Sequence, residues 1–322
     1  MEETVQILQK VLGTEGKVFL WEGEVSTVLE AAITNFFVPG ERGIFTVMGE
    51  DGDCFARLGE VLGMEVFRLG SEWGEVVTAG DIELLLKSKP EEEIQSLFVT
   101  LHETSTGVLL DIESIARKCR EWGMFLVVSA FHSAGVLELA MDRWGVDLLV
   151  SAMPEKICLL SAGKRAWERR RQKHIQGSLA TFQELKQQSS PLLETLKKIL
   201  ERERAFDYQK IKRTVRVGMC AMGLELLVKR EEIASPVFTT VVLPEGADAG
   251  WTVEELQREG ITGVSNLKRK ESRIIRIDHR HFSTKEAIFT LLENLGKTLV
   301  SQGVVLKIEE GINRVWEVYE HA

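Results

Sequence analysis

The stretch "SLFVTLHETSTGVLLDIESIARKCREWGMFLVVSA", residues 96–130, decides the fold class. It begins and ends with runs of aliphatic and β-branched residues, and the segment "IESIARKCREWG" between them has the spacing of an amphipathic helix. Continuous apolar strands joined by a helix are typical of a parallel sheet that is covered on both faces. The same alternation extends from about residue 17 to residue 165. The sequence therefore predicts an α/β protein whose large domain has a mainly parallel sheet.

A polar segment, residues 170–191, marks a change of domain. Beyond it, long amphipathic helices alternate with short apolar runs, which predicts a smaller C-terminal α/β domain. We expect an N-terminal helix over residues 1–16, a large domain over 17–185 and a small domain over 186–322.

The composition is typical of a soluble globular protein. The 322 residues are 44% hydrophobic and 28% charged, and no apolar run approaches the ~20 residues that a membrane span needs. Because the N-terminus lacks the cationic start of a signal peptide, we expect a cytoplasmic protein. The four cysteines form no CxxC pair, and the HxH spacing of His279 and His281 lacks an acidic or cysteine partner, so neither a disulfide framework nor a metal site is predicted.

The charge argues against a nucleic-acid partner. The net charge is −9, whereas binding to phosphate backbones needs clustered cations. The basic run "WERRRQKH", residues 167–174, is the local exception, and we expect it to be a solvated helix face.

Two loops lie where α/β sheets bind ligands. The polar "HETSTG", residues 102–107, follows an apolar strand, and ligands bind at the carboxyl ends of such strands. Lys156 lies in the loop after "VDLLVSA", where a Schiff-base lysine would lie.

In chain order these segments resemble the class V aminotransferases of the pyridoxal-phosphate fold type I group, the alanine-glyoxylate and serine-pyruvate kind. The resemblance rests on "VFLWEG", "LEAAITNFF", "EWGE", "HETSTGVL", "WGVDLLVSA", "KRAWE" and "RIIRIDH", and it extends from about Val18 to Leu299. It implies a fold type I large domain with a small C-terminal domain and pyridoxal phosphate between them. It also implies a homodimer whose active sites lie at the subunit interface.

Residue by residue, the resemblance assigns the cofactor phosphate to Ser26 and Thr27. Their turn begins with Glu24, whose carboxylate would repel a phosphate dianion. The aromatic residue that stacks on the cofactor ring in the family falls on Asp51. The resemblance therefore implies that contacts to both the phosphate and the ring are weakened.

The positions that carry the family's chemistry also differ. The carboxylate that holds the pyridine proton falls on Ser129, and a neutral hydroxyl cannot hold that proton by charge pairing. His132 replaces a small residue nearby and either fills vacated space or supplies a new polar group. The Schiff-base lysine falls on Glu155, so that Lys156 lies one residue late. About seven residues that form the next strand in the family are expected to be missing.

Four other positions match the family. Glu103, Thr104 and Ser105 of "HETSTG" remain, with Thr104 and Ser105 at cofactor-binding positions, and Arg276 in "RIIRIDH" matches the arginine that clamps a substrate carboxylate. The alternative for Arg276 is a structural ion pair with a carboxylate such as Asp278.

These observations predict a class V aminotransferase-like protein that has lost pyridoxal-phosphate-dependent catalysis and acts as a binding or partner subunit. Pyridoxal phosphate is expected from the family but is not expected to be bound. The alternative is an active aminotransferase of small amino acids and 2-oxo acids that uses Lys156. A third hypothesis is an anion-binding or regulatory module built on Arg276. The expected partners are a second copy of the chain or an intact paralogue, with a small carboxylate as ligand.

Overall fold

The computed structural model describes residues 2–89, 93–175, 190–267 and 273–321. The chain divides into two compact units. The first contains the chain up to Glu103 together with Leu109–Arg204, and the second contains Thr104–Val108 together with the chain from Ala205 onward. The predicted boundary between residues 185 and 186 lies outside the described residues.

Helices and strands alternate along the chain as far as Arg204, as the apolar pattern predicts. The elements in chain order are α1 (Glu2–Leu12), β1 (Lys17–Glu22), α2 (Val25–Phe36), β2 (Arg42–Val47), α3 (Glu50–Val61), β3 (Glu65–Gly70), α4 (Ala79–Ser88), β4 (Ser96–Thr100), β5 (His102–Glu103), β6 (Val108–Leu109), α5 (Ile112–Glu121), β7 (Phe125–Ser129), α6 (Met141–Trp144), β8 (Leu148–Met153), β9 (Ile157–Ala162), α7 (Lys164–Gln172) and α8 (Ser190–Arg204).

A seven-stranded sheet organises the first unit, with the strand order β1-β9-β8-β7-β4-β2-β3. The pairings from β8 through β7, β4 and β2 to β3 are parallel, whereas β9 pairs antiparallel with both β8 and β1. Every residue of β4, β7, β8 and β9 is buried, which explains why these strands are continuous apolar runs. The predicted α/β fold with a mainly parallel sheet is confirmed.

Aromatic side chains fill the core beside the sheet. The rings of Phe45 and Phe98 stack with centroids 4.0 Å apart, and Phe55 meets both rings edge-on at 5.5 and 5.4 Å. Edge-to-face and offset contacts of this kind add to the free energy gained by burying the rings. They fix α3, which carries Phe55, against β2 and β4.

Two arginines of the basic run are not on a solvated face, so that part of the prediction is wrong. Arg170 is buried and donates hydrogen bonds to the backbone oxygen and side-chain Oδ1 of Asn35 at 2.6 and 3.0 Å. Arg169 donates to the backbone oxygen of Phe36 at 3.1 Å and to Glu41 at 2.8 Å. The last carbonyls of a helix have no partner within the helix, and these arginines satisfy the carbonyls at the end of α2.

The second unit is a smaller α/β unit with an antiparallel sheet of order β10-β11-β13-β12. Its elements are α9 (Tyr208–Ala221), β10 (Glu225–Leu226), a 3₁₀ turn (Glu231–Ile233), β11 (Phe238–Val242), α10 (Ala249–Arg258), β12 (Val264–Asn266), β13 (Ile274–Asp278), a 3₁₀ turn (His279–His281), α11 (Lys285–Ser301) and α12 (Ile308–His321).

His279 is part of the core of this unit. Its Nδ1 lies 2.6 Å from the backbone oxygen of Pro236, and its Nε2 lies 2.8 Å from Thr239 Oγ1. Complete burial lowers the pKa of His279 to about 4, so the ring is neutral at physiological pH. Both ring nitrogens of His279 therefore lie within hydrogen-bond distance of groups in the core, and neither is available to a ligand.

Among the helices in the described ranges, none is long and apolar enough to cross a bilayer.

Candidate functional site

The carboxyl end of β7 carries a buried hydroxyl. Ser129 is 1% exposed, and its Oγ has no hydrogen-bond partner within the part of the chain that the structure describes. Its backbone oxygen accepts a hydrogen bond from Leu101 N at 2.8 Å. A buried hydroxyl without a partner lowers the free energy of unfolding by roughly 1–3 kcal/mol, so Ser129 destabilises the fold.

His132 follows in the loop after β7 with a left-handed backbone, at φ 53°. Its amide donates to the backbone oxygen of Ala152 at 2.9 Å, which ties the loop to β8. Its side chain is half-buried. Ser129 and His132 therefore share one end of the sheet, as the sequence predicts for residues that follow a strand.

The loop between β8 and β9 is a tight hairpin. Met153 and Ile157 are paired in the ladder, which leaves residues 154–156 as the connection. Glu155 and Lys156 both have left-handed backbones, at φ 56° and 58°, which costs L-residues roughly 1–2 kcal/mol each. The expectation that a strand is missing here is wrong, because β9 follows at once and only the connection is short.

Lys156 is held in an ion pair at the surface. Its Nζ lies 2.6 Å from Glu24 Oε1, and the two side chains are 64% and 67% exposed. The hydrogen bond and the charge of Glu24 raise the pKa of the Lys156 amine. Because only a neutral amine is nucleophilic, this environment opposes attack by Lys156 on a carbonyl.

Glu155 forms a second ion pair. Arg202 on α8 lies 3.1 Å from Glu155 and 3.1 Å from Glu203, whose side chain is 2% exposed. Within the hairpin connection, the side chain of Lys156 thus turns toward α2 and that of Glu155 toward α8. This arrangement could not be found from the sequence, since Glu155 and Arg202 are 47 residues apart.

The turn that begins α2 contains the predicted phosphate-binding residues. Glu24 is the N-cap residue but makes no side-chain capping hydrogen bond. Thr27 Oγ1 donates to the backbone oxygen of Glu24 at 2.6 Å and accepts from Trp21 Nε1 at 3.2 Å. Ser26 is exposed. The turn therefore lies beside Lys156, with the Thr27 hydroxyl already engaged.

Glu103 is a buried carboxylate that caps α3. It is 0% exposed, and its two oxygens accept hydrogen bonds from Asp51 N at 3.1 Å and Gly52 N at 3.0 Å. Free amides in the first turn of a helix favour a negative charge, so the pairing stabilises α3. The sequence singles out Glu103 only as part of "HETSTG", and its capping role has no local signal because the partners are 52 and 51 residues away.

Arg276 lies on β13 in the second unit, between Thr240 of β11 and Ser265 of β12. Its Nη1 donates to the backbone oxygen of Thr104 at 3.2 Å, and its guanidinium lies 4.9 Å from the centre of the Phe238 ring. Its Nε is buried and has no hydrogen-bond partner among the residues described. An arginine with this unused donor can donate a hydrogen bond to an oxyanion that approaches the Nε edge of the guanidinium.

The predicted alternative, a pair between Arg276 and Asp278, is not formed. Asp278 is bound by Arg280, with Nη2 and Oδ2 2.6 Å apart. Within the described parts of the chain, Arg276 has no ion-pair partner. None of the described carboxylates therefore balances its positive charge.

Thr104 and Ser105 belong to a segment that is bound to the same sheet. Thr240 Oγ1 donates to the backbone oxygen of Thr106 at 2.6 Å, and Ser235 N donates to that of Gly107 at 2.8 Å. Gly107 has φ 77°, a backbone conformation that favours glycine. The second unit therefore brings Arg276, Thr104 and Ser105 together, while Ser26, Thr27 and Lys156 lie together in the first unit.

Comparison with known proteins agrees with this architecture. The family model described as aminotransferase class-V matches residues 22–155. The chain is 25% identical over 320 residues to a Synechococcus protein named soluble hydrogenase, small subunit, with 90% of this chain and 82% of that protein covered. It is 24% identical over 342 residues to the L-aspartate–glyoxylate aminotransferase of Paracoccus denitrificans, with 97% and 86% covered.

Among solved structures, the ureidoglycine–glyoxylate aminotransferase of Bacillus subtilis superposes on the chain with a TM-score of 0.85 at 21% identity. The match covers 99% of this chain and 89% of that one. The strand order, the family model and the full-length relatives agree with one another. The chain is therefore similar to class-V aminotransferases in sequence and in fold.

Proposed function

We propose that this protein binds a small carboxylate at Arg276 and does not catalyse pyridoxal-phosphate-dependent transamination, so that it acts as a binding or partner subunit. The observation that carries the loss of catalysis is the ion pair between Lys156 and Glu24 at 2.6 Å. It supports a protonated lysine in the loop where the family holds its reactive amine.

The residues around this ion pair do not fit pyridoxal phosphate. A phosphate group needs free amides or cations, whereas Glu24 brings a carboxylate to the start of α2. Glu155 occupies the position that the resemblance assigns to the Schiff-base lysine, and its carboxylate is paired with Arg202. A protonated pyridine nitrogen needs a negative partner, and Ser129 offers a neutral hydroxyl. Each departure opposes either binding of the cofactor or its chemistry.

The carboxylate part of the proposal rests on the second unit alone. Arg276 keeps a positive charge, an unused Nε donor and the ring of Phe238 on one face. A carboxylate that binds side-on would satisfy this donor and balance the charge. Because Arg276 already donates to Thr104, the guanidinium is fixed in orientation before a ligand binds.

Covalent labelling tests the loss of catalysis. The protein is mixed with one equivalent of pyridoxal phosphate, reduced with borohydride and mapped by peptide mass spectrometry. We expect sparse labelling, with no preference for Lys156 over Lys164, whose side chain is 91% exposed. Quantitative labelling confined to Lys156, with amino-donor turnover that is lost in Lys156→Ala, would establish the active aminotransferase, the activity after which several relatives are named.

Thermal unfolding with pyruvate tests the carboxylate site. Pyruvate should raise the melting temperature of the wild type because a ligand of the folded state stabilises it, and Arg276→Gln should abolish this shift. The matched control is Arg280→Gln, since Arg280 also lies over Phe238 but is already paired with Asp278. Equal shifts in the wild type and Arg276→Gln would show that Arg276 is structural.

A further inference from the structure

A concave surface lies in the second unit, formed by residues other than Arg276 and the segment 104–108. It is a cleft of about 760 Å³ between α9, residues 225–231 and α12. This volume is within the range of ligand-binding pockets. No residue of the cleft belongs to the site proposed above.

The direction of the two helices determines which residues share an end of the cleft. A Cβ atom on Gly218 would lie 2.6 Å from Val315 Cγ2, and one on Gly311 would lie 2.3 Å from Met222 Cγ. Residues late in α9 therefore pack against residues early in α12, and the helices run antiparallel. Consequently, Ala221 lies near Glu309 at one end of the cleft, and Arg216 lies near Glu317 at the other.

At the Arg216 end cations outnumber carboxylates, because Glu317 is already paired with Arg314 at 2.6 Å. Arg216 and Lys212 both pair with the single carboxylate of Glu231, at 2.7 and 2.8 Å, and their side chains are only 8% and 9% exposed. Arg216 also donates from Nη2 to the backbone oxygen of Val228 at 3.0 Å. Its Nη1 has no hydrogen bond to any residue in the described ranges. This donor of the nearly buried guanidinium therefore remains available to an anion.

The opposite end is negatively charged. Glu310 pairs with Lys307 at 2.9 Å, whereas Glu309 forms no ion pair with any residue that the structure describes. Between the two ends the cleft is lined by the apolar side chains of Val217, Ala221 and Leu226. The cleft therefore offers a cation, an apolar floor and an anion in that order.

The distance between the two ends of the cleft indicates how long a bound ligand must be. At a rise of ~1.5 Å per residue, the five residues from Arg216 to Ala221 correspond to about 8 Å along α9. In a single α-amino acid the opposite charges are only a few ångströms apart. An extended chain of about three residues spans roughly 10 Å.

We propose that this cleft binds a short zwitterionic peptide of about three residues with an apolar middle side chain. Its terminal carboxylate is bound by Arg216, its middle side chain lies on Val217 and Leu226, and its terminal amine is bound by Glu309. This inference is independent of the carboxylate site at Arg276.

Calorimetric titration with the peptide Ala-Leu-Ala tests this assignment in the full chain. We expect one peptide per chain with both termini free, and no binding when the termini are acetylated and amidated. Glu309→Gln, at an exposed position, should weaken binding about tenfold, on the scale of one charge-assisted hydrogen bond. Ala221→Trp, which fills the floor, should abolish binding.

Two controls make the result specific. Glu293→Gln changes a carboxylate of α11 that pairs with Lys297 away from the cleft, and it should leave the affinity unchanged. Arg276→Gln should also leave it unchanged, which separates this cleft from the carboxylate site. Absence of binding to the wild type, equal binding of the blocked peptide, or unchanged affinity in both cleft variants would overturn the proposal.

Discussion

At the scale of single residues, Asp147 is a buried carboxylate at the start of β8. It is 5% exposed and accepts a hydrogen bond from Leu126 N at 2.8 Å, and Arg165 Nη1 lies 3.3 Å away. Burial raises the pKa of Asp147 from 3.8 to about 6, since desolvation outweighs these two favourable contacts. The folded state therefore holds the proton more tightly than the unfolded state.

This raised pKa predicts a pH-dependent loss of stability. Because the folded pKa is above the unfolded one, the stabilisation is complete below about pH 4 and is lost as the pH rises toward about 6. Asp147→Asn cannot ionise, so its free energy of unfolding should improve relative to the wild type over this interval, by up to about 3 kcal/mol. Urea unfolding of both proteins at pH 4 and pH 7 measures the difference. A constant difference at the two pH values would contradict the prediction.

The places of Ser129, Glu155 and Arg276 in the fold could be predicted from the sequence. Each lies at a fixed distance from a strand or motif that the sequence reveals. Their partners could not be identified in this way. The contact of Lys156 with Glu24 and that of Glu155 with Arg202 join residues far apart in the chain, and nothing in the local sequence specifies them.

At the scale of elements, the start of α3 depends on one distant carboxylate. Glu103→Gln keeps the size of the side chain but removes the charge that two amides of α3 bind. We expect a loss of about 1–3 kcal/mol in the free energy of unfolding, because these amides, one buried and one half-buried, would lose a charged acceptor. Chemical unfolding measures this loss.

The matched control on the same helix is Glu60→Gln. Glu60 is an exposed carboxylate that pairs with Arg68, and exposed ion pairs contribute little. Glu60→Gln should lower the free energy of unfolding clearly less than Glu103→Gln does. Equal losses in the two variants would show that Glu103 is not a helix cap.

Local signals predicted elements well where the partners are close in sequence. The polar run before α4 predicts capping, and Thr78 and Asp81 form a reciprocal capping box there. The basic run in α7 failed as a prediction because Arg169 and Arg170 bind carbonyls of α2, more than a hundred residues away. Helical periodicity cannot distinguish a solvated arginine from one that reaches a distant backbone.

At the scale of the whole molecule, the expected assembly is a homodimer. The class-V resemblance motivates this prediction, and the mass of one chain is 36.3 kDa. Light scattering at micromolar concentration should give twice that mass. A monomer mass in the presence and absence of pyruvate would contradict a homodimer and favour a complex with an intact paralogue, which mixing the two chains would reveal. The cytoplasmic location likewise stays a prediction.

The segment Thr104–Val108 has a consequence for how this protein can be divided. It belongs to the second unit, yet the chain on both sides of it belongs to the first. No single cut can release the second unit complete, because a fragment that starts at Ala205 would lack the oxygens that Thr240, Ser235 and Arg276 bind. A transplant of this unit into another protein would have to carry the five-residue loop with it, joined through a new linker. In this chain the unit boundary is interleaved, so a fragment that is to keep the proposed carboxylate site must contain both the loop Thr104–Val108 and the chain from Ala205 onward.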